Sequence, residues 1–285
     1  MPALTKKFTL SDLRLVRKSG AKVPMLTCYD YTTAKLMQES GVPMLLVGDT
    51  AANVILGHPT TLPVPLSFMI EITAAVRRGA PLALVVGDMP FGSYAGDTKV
   101  SVRSVCRMVK LSGCDCVKME VAAGHAELVR QLADNGVAVI AHLGLRPQSV
   151  NVLGGYKFQG RTAEEAKTIL ALSLQMQRSG AAALLLEAVT PEVAAAVVQR
   201  TNIPVIGCGS GPACHASVFV THDALGLTNH PPRFAPKLGE IGENLKASFT
   251  AYVNMVESGK YPAAEHQYKM PEDEKEKFLK EFKTE

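Results

Sequence analysis

No uninterrupted run of about 18 apolar residues occurs in this chain of 285 residues, so no segment reads as a membrane-spanning helix. The opening MPALTKKFTLSDLRLVRKSG holds no apolar stretch of the kind a secretory signal needs, and Asp12 argues against an acid-poor transit peptide. The six cysteines (Cys28, Cys106, Cys114, Cys116, Cys208 and Cys214) include no Cys-x-x-Cys pair, and most lie in apolar runs where reduced, buried thiols are expected. Charge of one sign is also missing: 30 basic against 26 acidic residues give +4, too small and too evenly spread an excess for nucleic-acid binding. No linker rich in Pro, Gly or Ser marks a second domain. These absences lead us to expect a cytoplasmic protein that engages neither nucleic acid nor a membrane. With 47% apolar and 20% charged residues the chain is not disordered. At this length folding hides roughly three quarters of the unfolded surface, so no disulfide or metal staple is required.

What is present is an alternation. Short runs rich in Val, Leu and Ile occupy 23–28, 43–47, 82–86, 114–119, 137–141, 182–186, 203–207 and, less clearly, 218–221. Continuous apolar runs suit strands covered on both faces, as in parallel sheets. Between them, 31–39, 66–78, 99–111, 126–135, 163–178 and 191–199 carry helical periodicity. Gly41, Gly79, Gly113, Gly136 and Gly180 follow five of these, where a helix C-terminus wants positive φ. Eight strands alternating with helices predict an α/β fold of the (β/α)8 TIM-barrel type with an N-terminal helix over 10–17 that closes its bottom; a doubly wound open sheet is the alternative. Two long irregular stretches, 51–65 and 143–161, read as ordered loops over a site. The Lys- and Glu-rich end, 271–285, reads as a solvated helix. The expected organisation is one barrel domain over 1–266 and a charged helical extension over 267–285.

The predicted strands end in polar groups: Asp49, Asp88, Glu120, His142 and Glu187. In a barrel these ends face one mouth, where active sites lie. Asp49, Asp88 and Glu120 form a set of carboxylates that costs energy unless a cation or proton lies among them. Oxygen ligands of this kind suit Mg²⁺, which keeps waters and leaves room for substrate oxygens. Lys118 shares a strand face with Glu120 by the period-two rule. It is either a buried partner for that acid or a point charge for a substrate carboxylate. Glu187 closes an apolar strand that raises a carboxyl pKa and suits it to general-base work; the bland reading is a supporting or capping acid. GCGSG at 207–211 lacks the full dinucleotide-binding spacing and reads as a close backbone approach at the mouth. His222 and Asp223 read as a hydrogen-bonded structural pair.

The segments LTCYDYTTAKL (26–36), LLVGDT (45–50), GHPTTLPV (57–64), AAVRRGAP (74–81), VKME (117–120), HLGLRPQSVNVLGGYKFQGR (142–161), IPVIGCGSG (203–211) and THDALGLT (221–228) together resemble the ketopantoate hydroxymethyltransferase family, from about residue 8 to 266. The resemblance implies a (β/α)8 barrel assembled into a homo-oligomer, often a decamer, that serves pantothenate biosynthesis. It implies transfer of a hydroxymethyl group from the folate 5,10-methylenetetrahydrofolate to 3-methyl-2-oxobutanoate, through a Mg-stabilised enolate, to give 2-dehydropantoate. On the matching positions it implies Mg²⁺ at Asp49, Asp88 and Glu120, keto-acid contacts at Asp49, Thr50, Asp88 and Lys118, and Glu187 as proton acceptor. The chain departs from the family pattern at Thr50, usually Ser, across 51–54, at 214–217 and after His266. Two rivals stand beside this reading: a Mg²⁺-dependent carbon–carbon lyase of the isocitrate-lyase or phosphoenolpyruvate-mutase type, and a catalytically idle relative that keeps the barrel as a scaffold.

Overall fold

The computed structural model describes residues 3–282. Eight parallel strands close on themselves in chain order: β1 (Val23–Thr27), β2 (Met44–Val47), β3 (Leu84–Asp88), β4 (Cys116–Glu120), β5 (Val139–Gly144), β6 (Ala183–Glu187), β7 (Val205–Cys208) and β8 (Ala216–Phe219). Closure comes from β1 pairing with β8, Val23 opposite Ala216. Around them run α1 (Leu10–Ser19), α2 (Tyr31–Glu39), α3 (Ala51–Val54), α4 (Leu66–Gly79), α5 (Thr98–Ser112), α6 (Ala126–Asp134), α7 (Val150–Leu153), α8 (Ala163–Arg178), α9 (Pro191–Arg200), α10 (Thr221–Ala224), α11 (Ile241–Glu257) and α12 (Glu272–Phe282). This is the predicted (β/α)8 barrel, and the open-sheet alternative is excluded by the β1–β8 ladder.

The chain divides into two compact units. One runs to Ala224 and resumes over Thr228–Lys237; the other comprises Leu225–Leu227 and the residues from Leu238 on. Position 266, where the sequence reading ends the barrel domain, lies inside the second unit. That unit holds α11, a 17-residue helix without a buried residue, which the sequence reading passed over. It also holds α12, which falls where a charged helix was expected, although 283–285 lie outside the described residues. No helix among the described residues is long and apolar enough to cross a membrane.

The first unit buries apolar side chains in two layers. Inside the barrel sit Val23, Met25, Met44, Leu46, Leu84, Val86, Ile140, Leu185 and Ile206, with Leu13 of α1 packed among them from below, so α1 closes the bottom as predicted. A larger layer fills the space between strands and helices. At the strands' N-terminal side, Asp115 Oδ2 accepts from Lys7 Nζ (2.8 Å), Arg77 Nη1 (2.7 Å) and the Val85 N–H (2.8 Å), tying the N-terminal segment, α4 and β3 together. Helix starts are specified locally: the Asp30 carboxylate accepts from the Thr33 N–H, and Asp97 from those of Lys99 and Val100.

Of the five helix-end glycines, Gly41, Gly113, Gly136 and Gly180 have positive φ. Gly79 does not: it is the last residue of α4, and a Cβ there would stand 2.3 Å from the Tyr31 carbonyl oxygen. Its smallness lets α4 and α2 approach, so the cap expected there is a packing glycine instead.

Candidate active site

Strand parity builds the site. Residues pointing into the barrel recur every second position, and each inward series ends in a polar group: Leu84, Val86, Asp88 on β3; Cys116, Lys118, Glu120 on β4; Ile140, His142 on β5; Leu185, Glu187 on β6. Register then sets neighbours side by side, Asp88 opposite Lys118 and Glu120 opposite His142. Asp49 follows just past β2. The resulting mouth encloses a cavity of about 440 Å³ whose lining includes Asp49, Thr50, Asp88, Lys118, Tyr156 and Glu187. This volume suits a small-molecule ligand.

The predicted residues are connected to one another. Lys118 Nζ donates to Asp88 Oδ2 at 2.6 Å, and the Asp49 N–H donates to the same oxygen at 2.9 Å. Asp88 Oδ1 is buried with no partner. Asp49 Oδ2 accepts from Gln148 Nε2 at 2.8 Å, and the Gln148 N–H reaches both Glu120 carboxylate oxygens at 3.1 and 3.2 Å. Thr50 Oγ1 lies 2.8 Å from the Tyr29 hydroxyl. His142 is fully buried; its Nε2 stands 3.4 Å from Glu187 Oε2 and its Nδ1 3.9 Å from Glu120 Oε1, and neither ring nitrogen makes a hydrogen bond. Among the described residues no group of three His, Cys, Asp or Glu side chains is arranged to hold a metal ion by itself. The acids of the trio Asp49, Asp88 and Glu120 face Lys118, Gln148 and a backbone N–H rather than a common centre.

Burial governs the protonation of these groups. It pushes the Asp88 carboxyl up to about 7, against the pull of Lys118 and with a further push from Asp49. It pushes Glu120 up to about 9, again opposed by Lys118. Glu187, its side chain only 20% exposed, rises to about 7 for the same reason. Burial acts downward on Lys118, but Asp88, Asp49 and Glu120 outweigh it and keep the ammonium charged. His142 is driven well below its ordinary range, first by burial and then by Lys118, and is neutral. The cluster is therefore rich in carboxylates and short of positive charge, and each additional ionised acid is costly.

Ala188, directly after Glu187, has φ +47, the one left-handed residue other than glycine among those described. Its N–H donates to the Cys208 carbonyl and its carbonyl accepts from the Gln159 N–H, so the backbone behind Glu187 is pinned on both sides. In the GCGSG segment, Gly209 has φ +64 and a Cβ there would meet the Phe234 ring at 2.5 Å, the close approach the sequence implied. His222 and Asp223 are not the expected hydrogen-bonded pair. Asp223 accepts from the Thr228 hydroxyl, His222 Nδ1 is buried without a partner, and its ring packs edge-on to Tyr29.

A closed eight-stranded barrel whose C-terminal mouth gathers acids and a lysine on one cavity defines a (β/α)8-barrel enzyme. The chain belongs to the ketopantoate hydroxymethyltransferase family, whose model matches residues 7–264. It is 40% identical over 265 residues to the 3-methyl-2-oxobutanoate hydroxymethyltransferase of Thermobifida fusca (strain YX), covering 92% of this chain and 94% of that protein. It is 42% identical over 264 residues to the enzyme of the same name from Corynebacterium jeikeium (strain K411), with 92% and 93% covered. Solved structures of similar fold include a phosphonopyruvate hydrolase (TM-score 0.61, 14% identity, 97% of each chain). Another is 2,3-dimethylmalate lyase, described as a PEP mutase/isocitrate lyase superfamily member (TM-score 0.59, 17% identity, 90% of this chain and 92% of that one). The lyase rival thus finds its likeness in fold alone.

Proposed function

We propose that this chain transfers the hydroxymethyl group of 5,10-methylenetetrahydrofolate to C3 of 3-methyl-2-oxobutanoate, releasing 2-dehydropantoate and tetrahydrofolate. The observation that carries this reading is the convergence of Asp49, Asp88, Lys118 and Glu187 on one cavity in a chain of this family, with Glu120 joined to Asp49 through Gln148. The acids fit Mg²⁺. They offer hard oxygen donors, and Asp88 Oδ1 is buried and unpartnered. Asp49 and Asp88 would hold the ion with Glu120 beside them, in keeping with a cation that takes one or two carboxylates and completes its shell with water or substrate. When bound, it supplies a Lewis acid for the oxygens of the keto acid.

The chain's own residues do the rest. Lys118, held charged, offers its ammonium to the substrate carboxylate. Glu187, raised to about 7, takes the proton from C3 and is itself partly protonated near neutrality, so it can return one. One water supplies the product's hydroxyl oxygen by adding to the folate's methylene carbon. Both carbon–nitrogen bonds of that methylene break, their electron pairs and the water's two protons going to the two nitrogens, and a one-carbon carbonyl at the formaldehyde level is left. The electron pair at C3 attacks this carbon to form the new carbon–carbon bond, and the carbonyl oxygen takes a proton to become the hydroxyl. The segments after β2 and β5 cover the mouth and keep water from the exposed carbanion. A cytoplasmic homo-oligomer is the setting this reading carries with it.

The deciding experiment is folate-dependent formation of 2-dehydropantoate by the purified protein, with and without chelator. Formation lost on chelation and restored by Mg²⁺ supports the reading. No product at any metal concentration would favour the idle scaffold, and cleavage of a 2-oxo-acid product class instead would favour the lyase.

A further inference from the structure

We propose that Gln148 is a positioning residue that fixes the separation of Asp49 and Glu120 and so sets the affinity of the mouth for a divalent cation, an inference that rests on the metal reading above. Gln148 lies in a one-turn 3-10 segment after β5 (Pro147–Ser149) and is buried. Its side-chain amide is fully engaged. Nε2 donates to Asp49 Oδ2 (2.8 Å) and to the Met89 carbonyl oxygen (2.9 Å), and Oε1 accepts from the Tyr94 hydroxyl (2.7 Å). Its main-chain N–H reaches both oxygens of Glu120. One residue from the β5 loop therefore grips the ends of β2, β3 and β4 together.

The chemistry at this position is narrow. Two acceptors, a carboxylate and a carbonyl, face the side chain from one side, and a hydroxyl donor meets it from the other. A primary amide supplies both N–H donors and an oxygen for the hydroxyl. The Asp49 carboxylate and the Met89 carbonyl, which accept only, fix which way the amide points. Turned over, Gln148 would set its own oxygen against Asp49 and the Met89 carbonyl, and its NH₂ against the hydroxyl. The Tyr94 hydroxyl lies in addition 3.2 Å from the Glu120 carbonyl oxygen, so the same ring braces both acids' supports. Residues that hold liganding carboxylates by hydrogen bonds restrict their orientation, and their loss costs about 10–100-fold in metal affinity.

The test is direct binding of Mn²⁺ to the metal-stripped full chain by calorimetry, with the thermal midpoint of each metal-free protein measured alongside. Wild type is expected to bind one ion per chain. Gln148→Met, close in volume and unable to hydrogen-bond, is expected to bind about 10–100-fold more weakly. Tyr94→Phe, which leaves the amide's contacts to Asp49 and Met89 but removes the hydroxyl's bond to its Oε1, is expected to show a smaller loss in the same direction. A lowered thermal midpoint with wild-type Mn²⁺ affinity in both variants would overturn the inference while leaving the metal reading intact. If Gln148→Met fails to fold, unchanged affinity in Tyr94→Phe alone overturns it. Absence of Mn²⁺ binding to wild type removes the metal reading itself, and the inference with it.

Discussion

Glu187→Gln separates chemistry from stability in a way the structure quantifies. The substitution keeps the shape of a protonated glutamate and removes the ability to ionise. For catalysis, the C3 proton of 3-methyl-2-oxobutanoate should cease to exchange with solvent, with a loss of about 10²–10⁴-fold from removing a general base. In wild type that exchange should rise with pH and level off above about 7, where Glu187 is ionised. For stability the sign is opposite. Burial raises the carboxyl from its ordinary 4.5 to about 7, so the folded state holds the proton more tightly than the unfolded one. Stability therefore falls as pH rises through 4.5 to 7, and the full penalty is present above 7. Between pH 5 and pH 8 this amounts to on the order of 2–3 kcal/mol, a penalty that a neutral glutamine escapes. Metal-free Glu187→Gln should therefore unfold at higher urea than wild type at pH 8, with the gap nearly closed at pH 5. Proton exchange followed by NMR and paired urea melts at the two pH values measure both effects. Undiminished exchange removes Glu187 as the base; a gap that does not change with pH refutes the burial argument.

Asp49→Ala and Asp88→Ala should each abolish product formation while circular dichroism stays native, because a single remaining carboxylate cannot chelate; normal turnover in both would refute the metal positions. Lys118→Met strands the buried Asp88 carboxylate without its ion partner. Its cost should be up to about 3–5 kcal/mol at high pH and smaller at pH 6, where Asp88, raised by burial and no longer pulled down by Lys118, takes up a proton; urea melts at pH 6 and pH 9 decide. Gly79→Ala should lose about 2 kcal/mol from overpacking against the Tyr31 carbonyl, although alanine is the better helix former by about 1 kcal/mol. A thermal midpoint at or above wild type would show that α2 and α4 can part at no cost.

The barrel was legible because its signals are local and repeat. Apolar runs of four to six residues alternate with helices bounded by Asp30, Asp97 and Thr162, and Asp88, Glu120, His142 and Glu187 end runs whose apolar character is plain. What the chain order hides is register. That Asp88 faces Lys118 and that Gln148 bridges Asp49 to Glu120 depends on how strands slide against one another and on a loop without periodicity. Gln148 sits between Pro147 and Ser149, where a polar residue looks like ordinary loop. Gly79 follows the cap pattern in sequence and breaks it in space, because its neighbour is another helix. His222 and Asp223 are adjacent in the chain, yet their partners are Tyr29 and Thr228. α11 was passed over although Leu245, Phe249, Tyr252 and Val256 recur at helical spacing; its apolar residues stand exposed, so burial alone does not announce it.

The ladder between Val23 and Ala216 joins two stretches of chain about 190 residues apart. On a ribosome adding roughly 5–20 residues per second, the first strand emerges on the order of ten seconds or more before its last partner exists. Throughout that interval one side of it offers unpaired amides to whatever strand comes near, the hazard of any open edge. The nascent chain thus depends on late completion of a ring, and slowing translation between the seventh and eighth strands should raise the fraction that aggregates more than the same delay placed after the ring has closed.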